Sequence, residues 1–133
     1  MMNRFKTVIV AIATFGMIGC SKEDEGNSII GNWVITESTA DLKDTGVSSY
    51  VTMSDTIRYN NNGSVDDKFN SDIYRYTIKD NIIVHSKTDK PTDVMLLSVS
   101  PFVMNYVGSD VLYLKSLYND KYELTLKLVR IKN

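Results

Sequence analysis

The residue type that most often serves as a general base and the one that offers a thiol nucleophile each occur only once in the chain. Cys20 is its single cysteine and His85 its single histidine. Nucleophilic hydrolysis needs a serine or cysteine beside a histidine, and an acid that orients the imidazole ring. Ser86 follows His85 directly, but neighbouring residues of a strand face opposite sides of a sheet. We therefore interpret His85 as an ordinary strand residue and expect no enzymatic activity.

Metal and cofactor chemistry also finds little support in the sequence. The stretch Asn60–Asp67 (NNNGSVDD) is slightly similar to a calcium loop, but Arg58 occupies the position of the first ligand. Zinc requires three or four His, Cys or acidic ligands at set spacings, and the sequence has no such group. Asp66 and Asp67 are adjacent, whereas glycosidases use carboxylates that face each other across a cleft. We expect no metal and no cofactor.

The first twenty residues have the layout of a secretory signal. Arg4 and Lys6 precede Val8–Ile18, a run of eleven mostly apolar residues. A membrane-spanning helix needs roughly 20 such residues, so this run is too short to remain as an anchor. An ordinary signal has small residues at the third and the last position before the cut, and Met17 is too large for the third.

The stretch Met17-Ile18-Gly19-Cys20 resembles a bacterial lipobox instead. The resemblance implies that residues 1–19 are a lipoprotein signal peptide. It also implies that Cys20 carries a diacylglycerol thioether after cleavage and that its new amino group is acylated with a fatty acid such as palmitate. Two or three acyl chains hold a protein at a membrane far longer than one. The alternative is an inert cysteine within a signal that is cut elsewhere.

Residues 20–28 are predicted to form a flexible acidic tether, because no apolar side chain follows Cys20 until Ile29. The acidic cluster Glu23-Asp24-Glu25 resembles the surface-export signals of lipoproteins in some Gram-negative bacteria. The predicted location is therefore the outer membrane of a Gram-negative bacterium, with the domain exposed at the cell surface. A periplasm-facing domain is the alternative, in which the acidic segment is only a spacer.

Composition fits one globular domain. The chain has 133 residues, 43% of them hydrophobic and 23% charged. With one cysteine it forms no internal disulfide, so its fold depends on its core. The formal net charge is −1, which gives no bulk attraction to nucleic acid. The mature chain, without Arg4 and Lys6, would have 13 basic and 16 acidic side chains.

Beyond the tether, the hydrophobic pattern alternates as in strands. Tyr74, Tyr76 and Ile78 share one face of a predicted strand. Short turn signals separate such runs: Asn61-Asn62-Gly63, Asp80-Asn81, Gly108-Ser109-Asp110 and Asn119-Asp120. We predict an all-β fold, a single small antiparallel up-and-down barrel or strongly curved meander of about eight strands. The longest predicted connection is Ser38–Ser48, which could hold one helical turn.

Gly31-Asn32-Trp33, at the start of the first predicted strand, resembles the Gly-x-Trp signature of lipocalins. The resemblance implies a lipocalin-like β domain over residues 29–133, in which Trp33 packs across one end of the barrel. Arg130 on the last strand would stack on Trp33 as the family's arginine does. The chain is shorter than classical lipocalins and lacks their C-terminal helix and their disulfide.

Two functions follow from these patterns. In the first, a lipid-anchored cell-envelope protein binds a small apolar or amphipathic ligand. Tyrosine suits ligand contact because it offers an apolar body and a polar tip. The candidate binding residues are Trp33, Tyr59, Tyr74 and Tyr76. In the second, a protein-interaction or inhibitory lipoprotein has a closed, packed β core and no ligand, and its outer face or Ser38–Ser48 recognises a partner. The expected partners are a membrane and a small hydrophobic ligand, not nucleic acid. The oligomeric state stays open.

Overall fold

A computed structural model describes residues 28–117 and 121–132. It contains eight strands within these ranges: β1 (Gly31–Leu42), β2 (Ser48–Tyr59), β3 (Ser64–Asp67), β4 (Tyr74–Lys79), β5 (Ile82–Lys87), β6 (Phe102–Val107), β7 (Val111–Ser116) and β8 (Tyr122–Arg130). A four-residue 3₁₀ helix, Leu96–Val99, lies in the connection between β5 and β6. None of the described residues belongs to a helix of sufficient length and hydropathy to span a bilayer.

The strands form a closed antiparallel barrel in which each strand pairs with the next one along the chain. The barrel closes between β1 and β8, where Trp33 lies opposite Arg130 and Leu42 lies opposite Tyr122. This arrangement confirms the predicted all-β up-and-down barrel of eight strands. Closure leaves no open edge along most of the sheet, which is how a small antiparallel sheet avoids unpaired backbone.

The barrel has two distinct ends. The Trp33 end is formed by the start of β1, the end of β8 and three tight turns, at residues 60–63, 80–81 and 108–110. The hairpin end, opposite to it, contains the β1–β2 turn at residues 43–47 and the longer connections 68–73 and 88–101.

Turn chemistry explains the tight connections at the Trp33 end. Asp80 and Asn81 have φ values of 52° and 67°, as a two-residue mirror-image hairpin turn requires. Gly63, at φ 89°, ends the Asn61-Asn62-Gly63 turn. The three turn predictions within the described ranges are confirmed, and Asn119-Asp120 lies outside those ranges.

The sequence-based expectation for Ser38–Ser48 was wrong. Ser38–Leu42 continues β1 and Ser48 begins β2, so the connection is only residues 43–47 and holds no helical turn. The segment is polar because this part of the hairpin extends past the core, where its residues are half-buried or exposed. A register shift between Ile35 and Glu37, seen against both neighbouring strands, bends β1 at the point where the extension begins.

The core is one cluster of buried side chains from all eight strands, from Ile29 before β1, and from the β3–β4 and β5–β6 connections. Leu124, Leu126 and Leu128 of β8 all point into it, as their alternation predicts. Val94 and Leu97, from the β5–β6 connection, are buried against the same cluster. Packing is therefore continuous from the Trp33 end to the middle of the barrel.

Candidate functional site

Trp33 closes one end of the barrel, and Arg130 holds it there. The Trp33 ring is fully buried, and its indole N–H donates to the Ile29 carbonyl at 2.7 Å. The Arg130 guanidinium carbon lies 4.2 Å from the centre of the Trp33 ring, a cation–π contact. The stacking predicted from the Gly-x-Trp resemblance is thus present in the structure.

Arg130 also binds backbone carbonyls of the segment before β1 and of the β6–β7 turn. Its Nε donates to Ser109 O at 3.0 Å, its Nη1 to Ile30 O at 3.0 Å, and its Nη2 to Ser28 O. A planar guanidinium suits this task, because its donors point in fixed directions and its face remains free to stack. The segment Ser28–Ile30 is therefore fixed to the last strand at the Trp33 end.

Gly31 is the residue that permits this close approach. Its φ is +131°, a backbone conformation that residues with a Cβ rarely adopt, and a Cβ built there would lie 3.0 Å from Arg130 Nη1. A larger residue would both strain the backbone and displace the guanidinium.

A polar network lies inside the barrel around His85. The Tyr59 hydroxyl lies 2.7 Å from His85 Nε2, and the Ser100 hydroxyl lies 2.9 Å from Nδ1. Ser100 also accepts the His85 backbone N–H at 2.8 Å and donates its hydrogen to Leu97 O at 3.0 Å. Because that hydrogen is directed to Leu97, we assign Nδ1 as the protonated nitrogen and Nε2 as the acceptor of the Tyr59 hydroxyl.

Burial keeps this network uncharged. Desolvation lowers the pKa of His85 from 6.5 to about 3, so the ring is neutral at physiological pH. Desolvation, with the neighbouring tyrosines, raises the pKa of Tyr59 well above its ordinary value. A neutral imidazole surrounded by the rings of Tyr59, Tyr74 and Phe102 behaves as part of the core.

The four predicted binding residues lie together with the core. Trp33, Tyr59 and Tyr74 are fully buried, and Tyr76 is half-buried. The Tyr74 hydroxyl donates to Val94 O and the Tyr76 hydroxyl to Asn60 O, both at 2.7 Å. Each of these polar groups has a partner within the chain, so these residues form the inner wall and the closed end of the barrel. Their role in binding stays a prediction.

The interior becomes accessible toward the hairpin end. Ala40 and Leu42 lie opposite Leu124 and Tyr122 in register and share their inward face. Leu42 is 44% exposed and Val51, on the same face of β2, is 53% exposed. Trp33, Ile57 and Tyr59 are buried at the Trp33 end. Tyr76, Ile78 and Tyr106, which also face inward there, are half-buried. This gradient gives the barrel an apolar rim, which we call the hairpin-end rim: Ala40, Leu42, Val51, Met53 and Tyr122. The sequence does not indicate this rim, because Ala40 and Leu42 lie within the predicted connection Ser38–Ser48.

Asp66 and Asp67, the adjacent acids noted in the sequence, stabilise a loop. Asp66 accepts the Asn60 side-chain amide at 3.0 Å and the Asp72 backbone N–H at 2.8 Å. Burial raises the pKa of the Asp67 carboxyl, but hydrogen bonds from the Thr92 hydroxyl and from the backbone N–H groups of Asn70 and Phe69 outweigh it and lower that pKa. Both carboxylates thus hold the β3–β4 connection in place.

The other reactive residues are not brought together. His85 is buried while Ser86 is exposed on the outer face, as strand alternation predicts. Within residues 28–117 and 121–132, no three His, Cys, Asp or Glu side chains are grouped so as to hold a metal. Cys20, the predicted lipidation site, lies outside the described residues.

Comparison with known proteins adds no relative: no family model, no curated protein and no solved structure matches this chain.

Proposed function

We propose that the protein is a lipid-anchored cell-envelope lipoprotein whose lipocalin-like barrel binds a small apolar or amphipathic molecule at the hairpin-end rim. The observation that carries the proposal is that, among the described residues, large inward apolar side chains become exposed toward the hairpin end of the barrel. Isolated exposed apolar residues are common, but inward-facing apolar residues that continue the core offer burial to a ligand. The closed Trp33 end would form its floor.

The anchor in this proposal is Cys20, joined to the barrel through the acidic tether. Nine residues from Cys20 to Ser28 span at most about 30 Å when extended. Because Ser28–Ile30 is fixed by Arg130, the tether meets the barrel at the Trp33 end. The hairpin-end rim would then face away from the lipid surface, open to ligands arriving from the surrounding medium.

Ligand binding is tested first by native mass spectrometry of the full-length protein purified from its own host. A retained small molecule would appear as a discrete added mass. A fluorescent C18 fatty acid then serves as the probe for solution binding. Leu42→Glu places a charge on the rim and should weaken probe binding by about tenfold, because it removes the burial of one large aliphatic side chain.

Val107→Glu is the matched control, since Val107 is an exposed β-strand residue near the Trp33 end. It should leave probe binding unchanged. Equal effects of the two substitutions, or no binding of the probe by the unmodified protein together with no retained mass, would refute the ligand proposal and favour the interaction protein with a packed core.

Lipid anchoring is tested separately by feeding cells labelled palmitate. The unmodified protein and a Ser21→Ala control should incorporate the label and sediment with membranes. Cys20→Ala should lose both properties. Continued labelling of the Cys20→Ala variant would refute the anchor without affecting the ligand proposal.

A further inference from the structure

One edge of β2 is longer than the strand that covers it. β2 has twelve residues and β3 has four. β3 pairs only with Ile57–Tyr59, at the Trp33 end of β2. Within the part of the chain that the structure describes, no strand pairs with residues 48–56 on that side. We call this stretch the free β2 edge.

The hydrogen-bonding pattern identifies which residues face the free β2 edge. Asn60 N donates to Ser64 O, so the even-numbered residues at this end of β2 direct their backbone groups toward β3. Leu42 N donates to Val47 O at the other end, so odd-numbered residues there point toward β1. The two ends of β2 give the same odd–even alternation. Ser48, Tyr50 and Thr52 therefore direct their backbone N–H and C=O groups away from β1, toward the free β2 edge.

The composition of the free β2 edge favours strand pairing. Exposed edges usually carry lysine, proline or inward-pointing charges that discourage another strand. Residues 48–54 (SSYVTMS) contain no charged residue and no proline. Tyr50, Val51 and Thr52 at their centre are exposed, and aromatic and β-branched residues form the most favourable cross-strand pairs.

We propose that the free β2 edge pairs with the same edge of a second copy of this chain. In an antiparallel pair with Val51 opposite Val51, Tyr50 of each copy lies opposite Thr52 of the other copy. The backbone groups that face outward therefore meet one another. This two-fold arrangement uses the same surface on both copies, as most homodimers do. It continues one barrel wall into the next by main-chain hydrogen bonds.

Charge placement is compatible with this register. The nearest acid on the edge, Asp55, would lie beside Val47 of the second copy. The two Asp55 carboxylates would be about 26 Å apart along the strands, at the usual rise per residue, and so well beyond the screening distance at physiological salt. The two Asp55 carboxylates therefore do not oppose this register.

Disulfide trapping tests the register directly. In this arrangement Val51 forms a non-hydrogen-bonded pair, whose Cα atoms lie about 4.5 Å apart, within the range that a disulfide bridges. The full-length Val51→Cys protein, isolated from membranes in mild detergent and oxidised, should run as a dimer without reductant. Val84→Cys is the matched control, because Val84 is also an exposed strand valine. It should remain monomeric, and both variants keep Cys20.

A second variant examines the unmodified interface. Tyr50→Pro removes an N–H that points away from β1, so it should spare the barrel while blocking the second copy. Sedimentation in detergent should give a dimer for the unmodified protein and a monomer for Tyr50→Pro, with unchanged circular dichroism. A monomeric unmodified protein, or equal trapping of Val51→Cys and Val84→Cys, would overturn the proposal. Trapping of Val51→Cys to a different protein would also overturn it.

Discussion

Protonation of His85 should make the barrel sensitive to mild acid. In the folded state the pKa of His85 is lowered from 6.5 to about 3 by burial. The folded protein therefore binds fewer protons than the unfolded chain between these two values. Stability that is present above pH 6.5 should be lost as the pH falls toward 3. The imidazolium would also place a hydrogen on Nε2, where the Tyr59 hydroxyl now donates.

The magnitude follows from the two pKa values. Linkage gives a loss of about 2 kcal/mol between pH 7 and pH 5, and about 5 kcal/mol once the pH is below 3. The pKa of the Asp67 carboxyl is lowered, so this carboxylate stays charged throughout the interval from pH 7 to pH 5, in which the histidine effect is measured.

Urea unfolding followed by Trp33 fluorescence measures this effect. Between pH 7 and pH 5, the free energy of unfolding should fall by about 2 kcal/mol more for the unmodified protein than for His85→Gln, since glutamine does not titrate. His85 is the only histidine, so nitrogen NMR of the unmodified protein follows its ring without ambiguity and does not depend on the variant. A ring that titrates near 6.5, or a stability difference that is the same at both pH values, would refute the reasoning.

Three further outcomes concern the Trp33 end and its turns, each measured by chemical or thermal unfolding. Gly31→Ala should cost about 1–3 kcal/mol through backbone strain and the close contact of its Cβ with Arg130. The control Gly46→Ala shares a positive φ, but its added Cβ meets no atom within 4 Å, so it should cost less; equal costs would contradict the role given to Gly31. Arg130→Met should cost about 3 kcal/mol, since it removes the cation–π contact and three charged hydrogen bonds, and Arg130→Lys should recover only part. Asn81→Gly should stabilise the protein by about 0.5 kcal/mol, because glycine favours the positive φ of that turn; a lower melting temperature would argue against the turn assignment.

Much of the barrel was predictable from local patterns. The alternation of Leu124, Leu126 and Leu128 identified an inward face, and Asp80-Asn81 identified a turn, because both signals depend only on neighbouring residues. The Trp33–Arg130 contact joins residues almost a hundred positions apart, and only the resemblance of Gly31-Asn32-Trp33 to a known signature suggested it. Strand periodicity alone could not have paired them.

The remaining features depend on closure of the barrel. The sequence predicts a connection at Ser38–Leu42, although these residues continue β1, because a hairpin that extends beyond the core loses the apolar alternation that marks a strand. Tyr59, His85 and Ser100 meet only after three separate segments curve around the same interior. No spacing in the sequence predicts these contacts, since each residue alone is an ordinary strand or loop residue. The exposed rim and the free β2 edge likewise follow from unequal strand lengths.

The hydrogen bonds from Arg130 to the carbonyls of Ser28 and Ile30 also have a mechanical consequence. Tension entering the barrel through Ser28 would pull β1 along its own axis, between β2 on one side and β8 on the other. The hydrogen bonds of both ladders would then carry the load in shear and would have to break together, whereas a strand peeled from its end breaks them one at a time. A force applied to the N-terminal side of the barrel would thus act along the direction in which the largest number of hydrogen bonds resist together.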